Sequence, residues 1–134
     1  MSESEMWNAI RPVLKPLDPV RVESPISPGL PDVNYVGGWI ELKYVDRWPV
    51  RPDTPLKIDH FTKQQRIRHR KRRQAGGKSF VLIKVDKGIN AQWLLFDGRV
   101  AADNIGTKNK EELCSLCLGR WLRLPRLEEL QTWL

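Results

Sequence analysis

The chain is short of several features that would have settled its class at once. No run of about 18 apolar residues occurs in its 134 residues, which rules out a membrane-spanning helix. The opening MSESEMWNAI is acidic and has no secretory apolar core, so no signal peptide is expected. Two cysteines are too few for a disulfide framework and fit a reducing, cytoplasmic setting. They are spaced Cys114-x-x-Cys117, half of a zinc motif with no second pair, inside an apolar helical stretch that reads as core packing. Internal repeats and low-complexity tracts are also absent. What is present is an ordinary globular balance, 40% hydrophobic and 29% charged, in one domain spanning residues 1–134.

Charge is distributed unevenly. Lysine and arginine number 23 against 16 acids, a net +7. Residues 60–78 hold eight of those cations (Lys63, Arg66, Arg68, Arg70, Lys71, Arg72, Arg73 and Lys78) and no acid, so the rest of the chain is one charge short of neutral. A localised cationic stripe implies a polyanionic partner, against the plainer alternative of a solvated helix face.

Residues 2–14 read as a helix. Ser2 and Glu5 have capping-box spacing, Met6, Trp7, Ile10, Val13 and Leu14 recur at helical intervals, and Pro16 and Pro19 end it. Val20–Glu23 alternates as a short strand, residues 24–29 form a loop, and residues 32–45 form a hairpin turning at Gly37-Gly38. Residues 46–59 are a Pro-rich surface loop. Thr62 caps a basic helix that Gly76-Gly77 stops. Phe80–Val85 and Gln92–Phe96 are further strands, and Glu111–Leu118 and Arg126–Trp133 are short helices. The expected fold is α/β, built on one mixed sheet flanked by helices, with a core over about 2–97 and a C-terminal helical cap over about 108–134. Trp7, Trp39 and Trp93 are expected in that core. The cap's leucines, with Trp121 and Trp133, supply more apolar surface than a small cap needs, and a homodimer contact is the expectation there.

The hairpin carries the chemistry. Residues two apart on a strand share a face, so Glu41 and Lys43 project together, and the turn brings Asp32 beside Glu41. Two converging carboxylates suit a hard cation such as Mg²⁺, and an adjacent ammonium can orient a water and offset developing negative charge. The alternative is an edge strand with Glu41 and Lys43 on its wet face. Charges in a central strand are costly unless paired or metal-bound.

These residues carry a family resemblance. Pro31-Asp32 followed by Glu41-Leu42-Lys43, with Thr62-x-x-Gln65 and Ala75-Gly76-Gly77 before a strand, resembles the PD-(D/E)xK nuclease superfamily. Within it, the pattern is similar to the VRR-NUC branch and its small phage relatives, themselves similar to archaeal Holliday-junction resolvases. The resemblance spans roughly residues 2–85. It implies a restriction-endonuclease-like core and an endodeoxyribonuclease dependent on Mg²⁺ or Mn²⁺. It further implies that Asp32 and Glu41 bind the metal, with the Leu42 carbonyl a further ligand. Lys43 would activate the attacking water, and Gln65, rather than Gln64, would support Lys43 or the scissile phosphate. An upstream glutamate completes such sites. Glu3, at E-x-x-apolar-Trp spacing, ranks ahead of Glu23, and Glu5 is better explained by the capping box.

On the basic helix, Gln65, Arg68 or His69, and Arg72 share a face. Arg66, Arg68, His69, Arg70, Arg72 and Arg73 are the expected DNA contacts, positioning phosphates without reading bases. Six such contacts would give a slope of binding in log salt of about −5. The rival function is a non-catalytic DNA-binding module using residues 62–75 alone, and a weaker one is a structural protein whose charges only solubilise.

Overall fold

The alternation of β3 (Gly38–Val45) sets the layout. A computed structural model describes residues 2–23 and 29–134, so most of the loop expected over residues 24–29 lies outside the described residues. On β3, Ile40 and Leu42 point to one face and Glu41 and Lys43 to the other, and all four are buried. β3 is the third of six strands in the order β1-β2-β3-β4-β5-β6, which removes the edge-strand reading. The strands are β1 (Val20–Arg21), β2 (Val33–Tyr35), β3, β4 (Lys78–Val85), β5 (Gln92–Asp97) and β6 (Gly119–Trp121). Only β3 and β4 run parallel, and the link between them carries α2 (Lys63–Gln74). A parallel pair needs such a crossover, whereas the antiparallel links range from the two-residue turn between β2 and β3 to the stretch between β5 and β6, which carries two short helices.

Two apolar layers form on the two faces. On one, α1 (Glu3–Leu14) lays Met6, Ile10 and Leu14 against Ile40, Leu42, Phe80, Leu82, Trp93 and Leu95. On the other, Val81, Ile83, Leu94 and Phe96 meet Ala101 and Ile105, with Leu56, Ile58 and Phe61 from the loop before α2. Each fully buried aliphatic side chain contributes roughly 1.5–3 kcal/mol, so both layers are needed to bury charged residues between them.

Several elements differ from expectation for local reasons. The hairpin turn falls at Val36-Gly37, because Tyr35 pairs with Gly38. Asp97-Gly98 does not end a strand in a turn. Asp97 instead caps a helix, α3 (Gly98–Asn104), its Oδ1 accepting from Arg99 N at 2.8 Å and Val100 N at 3.3 Å. Strand β6 is only three residues long, too short to show a period. Helix α4 is Lys110–Leu116, and α5 is Leu127–Leu130, shorter than the expected 126–133. Cys114 and Cys117 are free thiols packed against the second layer. Much of the C-terminal apolar surplus is consumed internally, since Leu118, Trp121, Leu124, Leu130, Trp133 and Leu134 pack on the first layer. Leu116 and Leu122 stay exposed. Among the described residues no helix is long and apolar enough to cross a membrane.

Gly38 lies opposite Lys78 at the start of the parallel pair, and a Cβ there would overlap the Lys78 carbonyl. A methyl group at this point forces β3 away from β4. Gly38→Ala should therefore lower the unfolding free energy in urea by roughly 1–3 kcal/mol. An unchanged midpoint would show that the two strands are not held that closely.

Candidate active site

The carboxyl of Glu41 is where the sheet, two helices and a loop converge. It is fully buried in the middle of β3. Val33 pairs with Ile40 in the antiparallel register, which places Asp32, one residue before β2, across from Glu41. The Asp32 Oδ2 accepts a hydrogen bond from Leu42 N at 2.8 Å, so the backbone of β3 itself fixes that carboxylate.

Gln65 enters from α2. Its Oε1 accepts from Thr62 N at 3.0 Å, and its own N donates to Thr62 Oγ1 at 3.2 Å, forming a capping box. Its Nε2 then donates to Glu41 Oε2 at 3.3 Å. One side chain both caps the helix and grips the buried carboxyl, while Gln64 is exposed. Lys43 is 3% exposed. Its Nζ donates to the His60 carbonyl at 2.8 Å and lies 3.8 Å from Glu41 Oε2 and 3.7 Å from Glu3 Oε1. Glu3, the first residue of α1, also stands 3.3 Å from His60 Nε2. Glu5 is tied to Ser2 in the α1 capping box, and Glu23 is exposed beyond β1. The His60 carbonyl left no trace in the sequence, because a backbone oxygen in an irregular loop has no residue signature.

The basic helix divides differently from expectation. His69, expected at the helix surface, points into the interior. It is fully buried, with Nδ1 3.0 Å from Ser79 Oγ and Nε2 3.7 Å from Glu41 Oε1. The i, i+4 step from Gln65 turns it inward onto the same carboxyl. Three expected phosphate contacts are committed within the fold. Arg66 Nη1 donates to the carbonyls of Ala102 at 2.9 Å and Ile105 at 2.8 Å. Arg70 donates to Ala102 O at 2.9 Å and Asp103 Oδ1 at 2.7 Å. Arg73 holds Ser79 O and lies 2.9 Å from Asp97 Oδ2. Arg66 and Arg70 satisfy carbonyls at the C-terminal end of α3, which a helix end otherwise leaves without partners, while Arg73 ties α2 to β4 and to the cap of α3. Arg68 and Arg72 are half-buried, and Lys63, Lys71 and Lys78 are exposed. Arg72 lies 5.5 Å over the ring of Trp39, which is half-buried on the face bearing Glu41 rather than in the core.

The donor set fits a hard divalent cation. It consists of carboxylates, and the buried oxygens Glu41 Oε1 and Glu3 Oε1 have no hydrogen-bond partner. Among the described residues no three His, Cys, Asp or Glu side chains stand ready-made as a metal cage. The Lys43 ammonium between Glu3 and Glu41 accounts for that spacing, since it supplies the positive charge there.

No protein-family model matches the chain, and no curated protein matches it. Among solved structures it is similar to Archaeoglobus fulgidus Hjc, described as a Holliday junction resolvase from an archaeal hyperthermophile. The TM-score is 0.55 at 20% identity, covering 86% of this chain and 93% of that one. The likeness establishes the restriction-endonuclease-like fold.

Burial, first, and then the neighbouring Asp32, which hydrogen-bonds the acid and repels its charge, raise the Glu41 pKa from 4.5 to about 10, with Lys43 opposing. The surroundings therefore favour the protonated form of Glu41 well above the usual carboxylate range, with Lys43 pulling the other way. Burial, with the Arg73 charge, lowers His69 from 6.5 to about 4. The linkage signs are opposite. Glu41 contributes stability that is complete below pH 4.5 and is lost as pH rises towards about 10, because only the unfolded chain gives up its proton. His69 contributes stability that is complete above pH 6.5 and is lost as pH falls towards about 4. In chelating buffer, Glu41→Gln should therefore gain stability relative to the parent as pH rises from about 5 to 9. A pH-independent difference in urea unfolding would contradict this.

Proposed function

We propose that this chain is a divalent-metal-dependent endodeoxyribonuclease that hydrolyses phosphodiester bonds in branched DNA. The observation that carries the reading is Glu41, an acid buried in a central strand beside Asp32, Glu3 and the Lys43 ammonium. A buried carboxyl so crowded by acids is a poor structural choice and a good cation ligand. The fold shared with a protein described as a Holliday junction resolvase supports branched DNA as the substrate class. The ordered set Asp32, Glu41, Lys43 and Gln65 supports a finer placement beside the VRR-NUC-like phage nucleases, acting in the host cytoplasm.

Asp32, Glu41 and Glu3 would hold Mg²⁺ or Mn²⁺. The bound ion would supply Lewis-acid polarisation of the scissile phosphoryl oxygen and a more acidic water. The chain's own groups do the rest. Lys43 Nζ is anchored by one proton to the His60 carbonyl, which leaves two N–H bonds to orient the attacking water and to meet charge on the phosphoryl oxygens. Gln65 holds Glu41 Oε2 and so fixes the ligand's orientation. DNA contact falls to the cations of residues 60–78 for which the described residues show no carbonyl or carboxylate partner, Arg68 and Arg72 with Lys63, Lys71 and Lys78. Their contacts would position phosphates and leave base sequence unread.

The rival is a metal-independent DNA-binding module, which the absence of a ready-made cage among the described residues favours. A cleavage panel of plasmid, duplex and four-way junction DNA separates the two. With Mg²⁺ or Mn²⁺ the parent should cut and prefer the junction, and chelation should abolish cutting. Lys43→Ala and Glu41→Gln should each lower the rate by about 10²–10⁴-fold. Equal cutting by all three proteins, or salt-sensitive binding without cutting, would end the proposal. Five phosphate contacts give a log-salt slope of about −4.5, which Arg68→Ala and Arg72→Ala should each reduce by about 1. Arg73→Ala should leave the slope alone and lower the unfolding midpoint instead.

A further inference from the structure

Beneath the site lies a buried histidine that the proposed reaction does not use, set against the carboxyl of Glu41. His69 Nε2 and Glu41 Oε1 are both buried and without a hydrogen-bond partner, and they face each other at 3.7 Å. Leaving two such groups unpaired in a core is costly, so their juxtaposition needs a reason. The gap is only a few tenths of an ångström beyond hydrogen-bond length, which a small turn of the Glu41 carboxyl would close. The imidazole has little freedom of its own. Its Nδ1 is held by Ser79 Oγ at 3.0 Å, and its ring packs edge-on against Phe61 at 6.2 Å. Gly98, at the start of α3, seals the far side, because a Cβ there would overlap both His69 Nδ1 and Ser79 Oγ. The Ser79 hydroxyl can donate to Nδ1, and in that tautomer the ring proton lies on Nε2, the nitrogen that faces Glu41.

We propose that His69, backed by Ser79, is a positioning residue for Glu41: its Nε2–H steadies Oε1 while Gln65 holds Oε2, so the carboxylate presents one orientation to the cation. The inference rests on the reading of Glu41 as a metal ligand. It assigns a role to a histidine that touches neither DNA nor the reacting atoms. It also explains why the helix carrying the DNA-facing cations has a fully buried imidazole at its centre. Second-layer groups of this kind typically change metal affinity or activity by about 10–100-fold when lost.

Two substitutions separate positioning from packing. Asparagine can keep the Ser79 contact but is too short to reach Glu41, whereas glutamine can carry an N–H to the position of Nε2. Calorimetric titration with Mn²⁺ on protein verified as folded by circular dichroism is the first readout, and the split of kcat from KM on junction DNA is the second. His69→Asn should weaken Mn²⁺ binding by about 10-fold or more and lower kcat with KM for DNA unchanged. His69→Gln should stay within about 3-fold of the parent, and Ser79→Ala should shift in the direction of asparagine by less. Unchanged Mn²⁺ affinity in folded His69→Asn, or equal loss in His69→Gln, would overturn the inference while leaving the nuclease reading intact. A parent protein that binds no Mn²⁺ and cuts no DNA would overturn both.

Discussion

An acid in the middle of a sheet is the constraint on which this structure turns. Glu41 is fully buried, and the fold spends its neighbours on it: Asp32 across the hairpin, Lys43 two residues on, and Gln65 and His69 from one face of α2. Nothing apolar is gained by this arrangement. Burial and the neighbouring acids favour the protonated carboxyl, with Lys43 opposing. A group held so far from its ordinary ionisation is stable only as an acid or as the ligand of a cation. The same low-dielectric setting that makes the charge costly would make a divalent ion's field strong.

The basic helix serves two purposes that its sequence does not separate. Arg66, Arg70 and Arg73 bolt α2 to α3 and β4 by donating to backbone carbonyls, and they hold the helix over Glu41. Arg68 and Arg72 are half-buried and the lysines exposed, so under the proposed function these would be the cations that meet phosphate. A guanidinium has enough donors to satisfy several carbonyls at once, so one residue type can perform both tasks. Counting cations in the sequence therefore overstates the charge that α2 leaves uncommitted at its surface.

The layers, the central strand and the meeting of Asp32 with Glu41 were legible because they follow from period-two alternation and a tight hairpin. The choice of Gln65 over Gln64 rests on the family resemblance, and helical spacing adds only which residues share its face. The inward turn of His69 was not, since a histidine in a run of arginines carries no local mark of burial. Helix α3 was hidden because Asp97-Gly98 serves equally as a turn or as a cap, and only the chain that follows decides. Trp39 read as core by its type, yet it lies half-buried under Arg72 on the face that bears Glu41, because its strand position, two residues before Glu41, fixes its direction. The His60 carbonyl and the Ser79 hydroxyl act through tertiary contacts with partners 17 and 10 residues away in sequence, beyond any local pattern.

If Glu41 exchanges its proton for a cation, the exchange can be counted. Titration of the protein with Mn²⁺ at neutral pH, in buffers of different ionisation enthalpy, should show release of roughly one proton per ion bound, and Glu41→Gln should abolish that release. Saturable binding with no buffer dependence, or the same release from Glu41→Gln, would contradict the account at its centre.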